Sequence, residues 1–490
     1  MVKRMVLVFL CIFSLPGFLF AGAAQDNFLV GPALFPLEQI NAKDRLLILA
    51  PHPDDEAIGC AGVIQQAVRK GAKVNVAYLT NGDHNQWAFI VYEKRIPIFS
   101  GEFVHLGETR KREAIKAMEL LGLKKEDLVF LGYPDFGTFS IFKDYWQSKA
   151  PYKSLLTRIS RVPYKDDLSY GAPYIAENIL IDLKTVLKRF RPTKIFVSSP
   201  LDVNVDHKAF YLFLQVALSD LEKEMEKPKV YPYLIHWVGW PLPRHYHPGW
   251  TLAPPKQLWG LPIDWYKYDL SGQELDKKHK SILCYRSQTQ SSAFYLLAFA
   301  RKNELFGNYH DIQLFMPSFQ EAVDAKNDIS VKDRLAALFG LTQMFQEKSV
   351  DMAGYYSDTA KSDKKVKYSI EGGNLFIRIA KAEERSRTTK NLIYLFGYSY
   401  KVPFKKMPKI TIYTKYNRFR VFDSRKLIEE SNVDLKLLPG QINLKIPLKL
   451  LGFPDYILAS VKAYTDKPPV FSTGFRKINI GLAARQRKGK

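Results

Sequence analysis

The stretch "RLLILAPHPDDEAIGCAGVIQQAVRKG", residues 45–71, decides the fold. Its first six residues are almost continuously apolar, as in a strand buried on both faces. Its last eleven carry apolar residues at helical spacing and stop at Gly71, a common helix terminator. Between them, two prolines hold the chain extended around His52, and Asp54, Asp55 and Glu56 follow. Acids in a helix's first turn complement its dipole, and an Asp can cap it. That structural role covers one or two acids. It leaves His52 and the paired prolines unexplained, and it is the reading against which metal binding is weighed.

The pattern repeats on either side. "KVNVAYLTNG" predicts a second strand closing in a turn, "TRKREAIKAMELLG" an amphipathic helix, and "LVFLGYPD" a third strand. "ENILIDLKTVLKRFRPTKIFVSSP" predicts a helix, a break at Pro192 and a fourth strand. Strands alternating with helices specify an α/β fold: a Rossmann-like parallel sheet with helices on both faces. Periodicity lapses between Asp135 and Gly171, and again over residues 241–270, where prolines and aromatics cluster. Near Tyr355–Lys367 the composition becomes polar and charged, which predicts a linker over 351–367. Beyond it, "LFIRIA", "KITIYTKY", "INLKIPL" and "ILASVKAY" alternate with period 2, placing Leu375, Ile377 and Ile379 on one face. These predict a C-terminal antiparallel β-sandwich over 368–482, after an α/β domain over 44–350.

The bulk numbers agree with two domains: 490 residues, 47% of them hydrophobic. Three cysteines without a CxxC pair exclude a disulfide framework and thiolate zinc clusters. Lys3 and Arg4, then "MVLVFLCIFSLPGFLF" and "AGAAQ", predict a secretory signal peptide over 1–23 and an exported protein. The competing reading is an uncleaved anchor, against which Pro16 and Gly17 interrupt the apolar run. After cleavage no stretch is long and apolar enough to span a bilayer. The net charge of +23 favours acidic or cell-surface glycans as partners, with a merely well-solvated lysine-rich surface as the alternative. No nucleic-acid module signature appears, so nucleic acid is not an expected partner. The first strand–helix turn also lacks GxGxxG, which argues against nucleotide binding.

In a parallel sheet, ligands gather beyond the carboxyl ends of the strands. The fourth strand ends in "PLDVNVDHKAFYLFLQVAL", a second polar turn before a helix, holding Asp202, Asp206 and His207. Two such strand ends can converge on one metal. His52, Asp55 and His207 would give zinc two nitrogens and one oxygen, leaving a position for water, as catalytic sites do. This requires the two imidazoles to approach within about 5 Å. The other histidines, His84 and His236 among them, lack this context and are expected to be structural.

"PHPDDE" resembles the signature of the PIG-L, or LmbE-like, zinc-dependent de-N-acetylases, which remove acetyl groups from N-acetylglucosamine-containing substrates. "TNGD", the "RxxE" of Arg110 and Glu113, "GYPDFG", the later "DH" and "KHKSILCYRSQ" follow in that family's order, over roughly residues 44–310. The resemblance implies His52, Asp55 and His207 as metal ligands, Asp54 as catalytic base and an N-acetylated sugar as substrate. Many members carry a histidine three residues before the last ligand; here Asn204 stands there, able to donate a hydrogen bond but not to shuttle a proton. Candidates to support an oxyanion are therefore Asn204 and Tyr285. Arg110 and Asp135 are candidates to hold sugar hydroxyls, with packing or ion pairing as the competing role. The function expected is hydrolysis of an N-acetyl amide; the alternative is a weak or inactive glycan-binding protein on the same fold.

Overall fold

A computed structural model describes residues 31–146, 149–316, 365–380, 390–415, 418–438, 440–464 and 469–482. Eight strands make the first sheet: β1 (Leu34–Pro36), β2 (Arg45–Ala50), β3 (Lys73–Thr80), β4 (Leu128–Tyr133), β5 (Lys194–Ser198), β6 (Lys229–Tyr233), β7 (Ile263–Asp269) and β8 (Asn303–Tyr309). Their order is β1-β7-β8-β6-β5-β2-β3-β4. The helices are α1 (Asp55–Arg69), α2 (Gln86–Glu93), α3 (Gly101–Leu120), α4 (Thr138–Asp144), α5 (Ala176–Phe190), α6 (Val205–Asp220), α7 (Gly272–Leu283) and α8 (Arg286–Leu296). Strands β6, β5, β2, β3 and β4 pair in parallel, while β8 runs antiparallel to β6 and β7. The sheet is therefore mixed at one side rather than parallel throughout.

Alternation along β2 shows why its sequence is apolar without a break. Leu46, Ile48 and Ala50 enter one core with α1, α3 and α7, and Leu47 and Leu49 enter the other with α4, α5 and α6. From β2 the chain moves outward to β3 and β4, then returns across the sheet to β5 on β2's other side. The connections after β2 and β5 thus diverge from adjacent strand ends. A crevice opens there, as at the switch point of doubly wound sheets. Both metal-type turns found in the sequence begin at this crevice.

The second unit holds β9 (Ile312–Met316), β10 (Val366–Glu371), β11 (Asn374–Ala380), β12 (Lys390–Tyr398), β13 (Lys409–Lys415), β14 (Arg418–Asp423), β15 (Lys426–Ile428), β16 (Asp434–Leu438), β17 (Gln441–Pro447), β18 (Tyr456–Tyr464), β19 (Pro469–Ser472) and β20 (Arg476–Leu482). One sheet runs β10-β11-β17-β16. The other runs β15-β14-β13-β12-β18-β20-β9, with β19 on β18. Leu375, Ile377 and Ile379 are buried together between the sheets, as their alternation requires. The sandwich departs from pure antiparallel pairing in one place: β9 lies parallel to β20. Strand β9 joins this sheet because Ile312 and Leu314 fill its core, so the chain enters the β unit well before residue 350. Most of the expected linker, 351–364, lies outside the described residues, as does the expected signal segment 1–23; Val366 and Lys367 are already in β10. Among the described residues no helix is long and apolar enough to cross a membrane.

The two units share a core. Tyr394, Phe396, Tyr398, Tyr456 and Phe475 from the larger β-sheet pack with α4 and α6. Tyr456 donates to Ser219 Oγ at 3.0 Å, and Phe475 N donates to Pro200 O at 3.1 Å. Gly474 makes this contact close: its φ is +68°, and a Cβ there would sit 2.9 Å from Pro200 O and 2.8 Å from Leu201 Cδ2. Pro200 and Leu201 begin the turn that leads to His207. Gly474→Ala should therefore cost about 1–3 kcal/mol through backbone strain and this clash. Urea unfolding followed by fluorescence reads the loss; an unchanged midpoint contradicts the close packing described.

Candidate metal centre

The turn after β2 carries Asp54 in an unusual backbone conformation, φ 126° and ψ −28°. Arg110 of α3 holds it there. Its guanidinium donates to Pro53 O at 2.7 Å, Asp54 Oδ2 at 3.1 Å and Gly82 O at 3.0 Å. Gly82 is required beside it, since a Cβ at that position would overlap the guanidinium. Asp54 then precedes the first helical residue, Asp55, whose Oδ2 accepts from His52 N at 2.9 Å. The second turn, after β5, is closed by Asn204. Its Oδ1 accepts from Asp206 N at 2.8 Å and so caps α6, which puts His207 in the first helical turn.

The turns meet at Asp55. Its Oδ2 lies 3.3 Å from His52 Nδ1 and 3.1 Å from His207 Nε2, and the two rings are 5.3 Å apart between centroids. One ligand atom from each of the three residues falls within 4.8 Å of the others, inside the limit that a shared ion requires. His207 is wholly buried, and its ring nitrogens face carboxylates without an aligned hydrogen bond: Nε2 lies 3.1 Å from Asp55 Oδ2 and Nδ1 3.1 Å from Asp202 Oδ2. A buried imidazole flanked by acids in this way is suited either to an ion-paired imidazolium or to a metal ligand. Two nitrogens and one carboxylate oxygen at this spacing fit a small divalent cation of the zinc type.

Carboxylates stand behind both rings. Asp202 Oδ2 is 3.1 Å from His207 Nδ1, while Asp135 Oδ1 and Asp206 Oδ2 are 3.1 and 3.3 Å from His52 Nε2. Two further groupings of possible ligands arise this way, Asp202–His207–His236 and His52–Asp135–Asp206. Their acids are already committed. Asp202 accepts from the backbone N–H groups of Asn204, Ile235 and His236. Asp206 accepts from Phe136 N, Thr138 N and the Thr138 hydroxyl. Both acids orient imidazoles, as acids behind metal-binding histidines commonly do.

Burial and neighbours set the protonation states. Burial alone would lower the pKa of His207, but Asp202 and Asp55 raise it to about 9. Burial opposes charge on His52 too, and Asp135, Asp206 and Asp55 hold it well above the ordinary imidazole range. Burial pushes Asp54 up to about 7 against the pull of Arg110. Asp55, Asp135 and Asp202 stay below the usual carboxylate range because the imidazoles overcome their burial.

Several sequence expectations change here. Tyr285, expected to support an oxyanion, is wholly buried, and its hydroxyl is engaged by Glu56. Arg110 and Asp135 are each 3% exposed and serve the turns: Arg110 clamps the Asp54 backbone, and Asp135 backs His52. The competing ion-pair and packing role therefore describes both. Asn204 spends its oxygen on the cap, leaving only its amide nitrogen to donate. His236, expected to be structural, packs edge-on against His207 at 4.5 Å between centroids, with Nδ1 3.3 Å from Asp202. Its place just past β6, the strand next to β5, was the signal available in the sequence.

Metal binding needs neutral imidazoles, whereas the metal-free site holds them protonated. Titrating zinc into metal-free protein at pH 7.5 should release about two protons per ion. Calorimetry in buffers of different ionisation enthalpy reads the number. The sign for stability follows: the folded pKa of His207, about 9, exceeds its ordinary 6.5. The metal-free protein therefore loses this contribution as pH rises through about 9, and zinc affinity climbs over the same range. Zinc binding with no proton release would contradict the assigned ligands.

Residues 47–218 match the family model described as PIG-L: GlcNAc-PI de-N-acetylase. No curated protein matches the chain. Among solved structures, the conserved protein TT1542 from Thermus thermophilus is 22% identical over 50% of this chain and 80% of that one, with a TM-score of 0.30. N,N'-diacetylchitobiose deacetylase from Pyrococcus horikoshii is 19% identical over 50% and 70%, with a TM-score of 0.30. The zinc-inhibited form of teicoplanin deacetylase Orf2 is 16% identical over 54% and 97%, with a TM-score of 0.34. The segment that matches this family model runs from β2 through most of α6 and so contains both turns of the metal centre.

Proposed function

We propose that this chain is an exported, zinc-dependent hydrolase that removes the acetyl group from an N-acetylglucosamine-containing glycan or glycoconjugate. The observation that carries this reading is the convergence of His52, Asp55 and His207, with one possible ligand atom from each within 4.8 Å of the others, inside a segment matching a de-N-acetylase family. An ion held by His52, Asp55 and His207 would supply Lewis acidity, polarising an amide carbonyl and making water acidic enough to attack near neutral pH.

The chain's own groups supply the rest. Asp54 is the acid of this cluster most open to solvent, its side chain 12% exposed against 2% for Asp55 and none for Asp202 or Asp206. Its pKa near 7 lets it take a proton from water and return one to the departing amine at neutral pH. Arg110 fixes where that carboxylate points. Asp202 and Asp206 hold the two imidazoles in orientation. His236, its side chain 32% exposed, packs edge-on against the buried His207 ring. The second reading, a glycan-binding protein without turnover, draws on Asn204, whose oxygen is spent on capping α6.

One pair of variants separates the two. Asp54→Asn should keep its zinc and lose about 10²–10⁴-fold in acetate release from N-acetylated oligosaccharides. His207→Ala should lose both metal and activity. Acetate release by wild-type protein with stoichiometric zinc is the direct assay. No release from a broad panel of acetylated sugars, with zinc bound, would favour the non-catalytic reading.

A further inference from the structure

The larger β-sheet presents one face to α4 and α6, and that face extends beyond them. Strand register fixes what it carries there. Lys390 of β12 stands directly opposite Lys415 of β13, and Lys415 directly opposite Arg418 of β14. In the next row on the same face, Lys462 of β18 opposes Leu392, Leu392 opposes Tyr413, and Tyr413 opposes Arg420. Neither of these rows contains an acid. Like charges facing each other across strands are destabilising, and neighbouring strands ordinarily avoid them. Lys390, Lys415, Arg418 and Arg420 are exposed, and Tyr413, beside Arg420, is 46% exposed.

The Lys462 row begins near the turn that leads to His207. The backbone of Val461, the residue before Lys462, bonds in both directions with Thr473, and Gly474 abuts Pro200 and Leu201. The Lys462 ammonium lies 5.6 Å from the Tyr394 ring, which packs edge-on against Phe139 of α4. At the start of α4, the backbone N–H groups of Phe136 and Thr138 bind Asp206 in the metal turn.

The geometry points to a binding face for an anionic glycan strand, running from Arg418 and Arg420 across Tyr413 to Lys462 and on to the metal centre. This rests on the proposed deacetylase reading and narrows its substrate class to N-acetylated polysaccharides that also bear carboxylate or other acidic groups. Fixed cations would pair with the acidic units, and Tyr413 would offer a ring face to the sugar between them. A neutral chitin-type chain would gain the stacking without the ion pairs.

Binding of full-length protein to a hyaluronan hexasaccharide, which alternates N-acetylglucosamine with glucuronate, is compared with binding to chitohexaose. The wild type should prefer the acidic chain by about tenfold at low salt and lose that preference as salt is raised. Arg418→Gln/Arg420→Gln should abolish most of the preference with zinc content and unfolding midpoint unchanged. Lys188→Gln/Lys280→Gln removes the same charge elsewhere and should leave the preference intact. Equal binding of the two oligosaccharides overturns the inference. So does an Arg418/Arg420 variant that keeps the preference, or a control that loses it equally. Acetate release is measured separately: binding preference without release defeats the deacetylase reading and leaves the surface standing, and the converse defeats the surface alone.

Discussion

Everything at this centre depends on placing ionised groups where water cannot reach them. Asp55, Asp135, Asp202, His52 and His207 are all nearly or wholly buried, and ions so placed survive only when paired. Asp55 is the hub, with one oxygen serving both imidazoles. Two imidazolium protons carry the same charge as one divalent cation. The cluster can therefore exchange protons for metal without changing its total charge, and the surrounding acids need not move. The carboxylates behind each ring suit both states, since they pair with an imidazolium and equally orient a neutral imidazole toward a metal.

The fold creates this spot through topology. Because the chain leaves β2 in one direction and comes back to β5 on the other side, two strand ends lie together while their connections part. Each connection enters a helix at once, so the ligands sit at or beside first helical turns. Arg110 and Gly82 lock one turn, and Asn204 with Asp202 lock the other. The β unit then braces the second turn from outside, with Gly474 pressed on Pro200 and Leu201. A domain that looks appended in sequence thus shares the core that positions a metal ligand.

The sequence made the α/β pattern legible because buried strands and amphipathic helices differ sharply in hydrophobic period. It also exposed His52, Asp55 and His207, since each follows an apolar strand and lies at the start of a helix. What it hid were pairings without a local signal. Nothing near Ile312 says that β9 crosses to a different sheet, and nothing local to β8 marks its reversed direction. Roles are least legible where burial decides the partners. Tyr285 and Arg110 are chemically suited to hold a substrate, yet in the fold both are buried and engaged by Glu56 and by the Asp54 turn. His236 was missed for the complementary reason, because only the adjacency of β6 to β5 brings it against His207.

The centre can be checked most directly by X-ray absorption on protein loaded with one equivalent of zinc. Two imidazole nitrogens from separate strand ends, with the remaining neighbours oxygen and no sulfur, should surround the ion, and His207→Ala should remove one of the imidazoles. A sulfur neighbour, or a shell of oxygens without imidazole, would contradict the centre described.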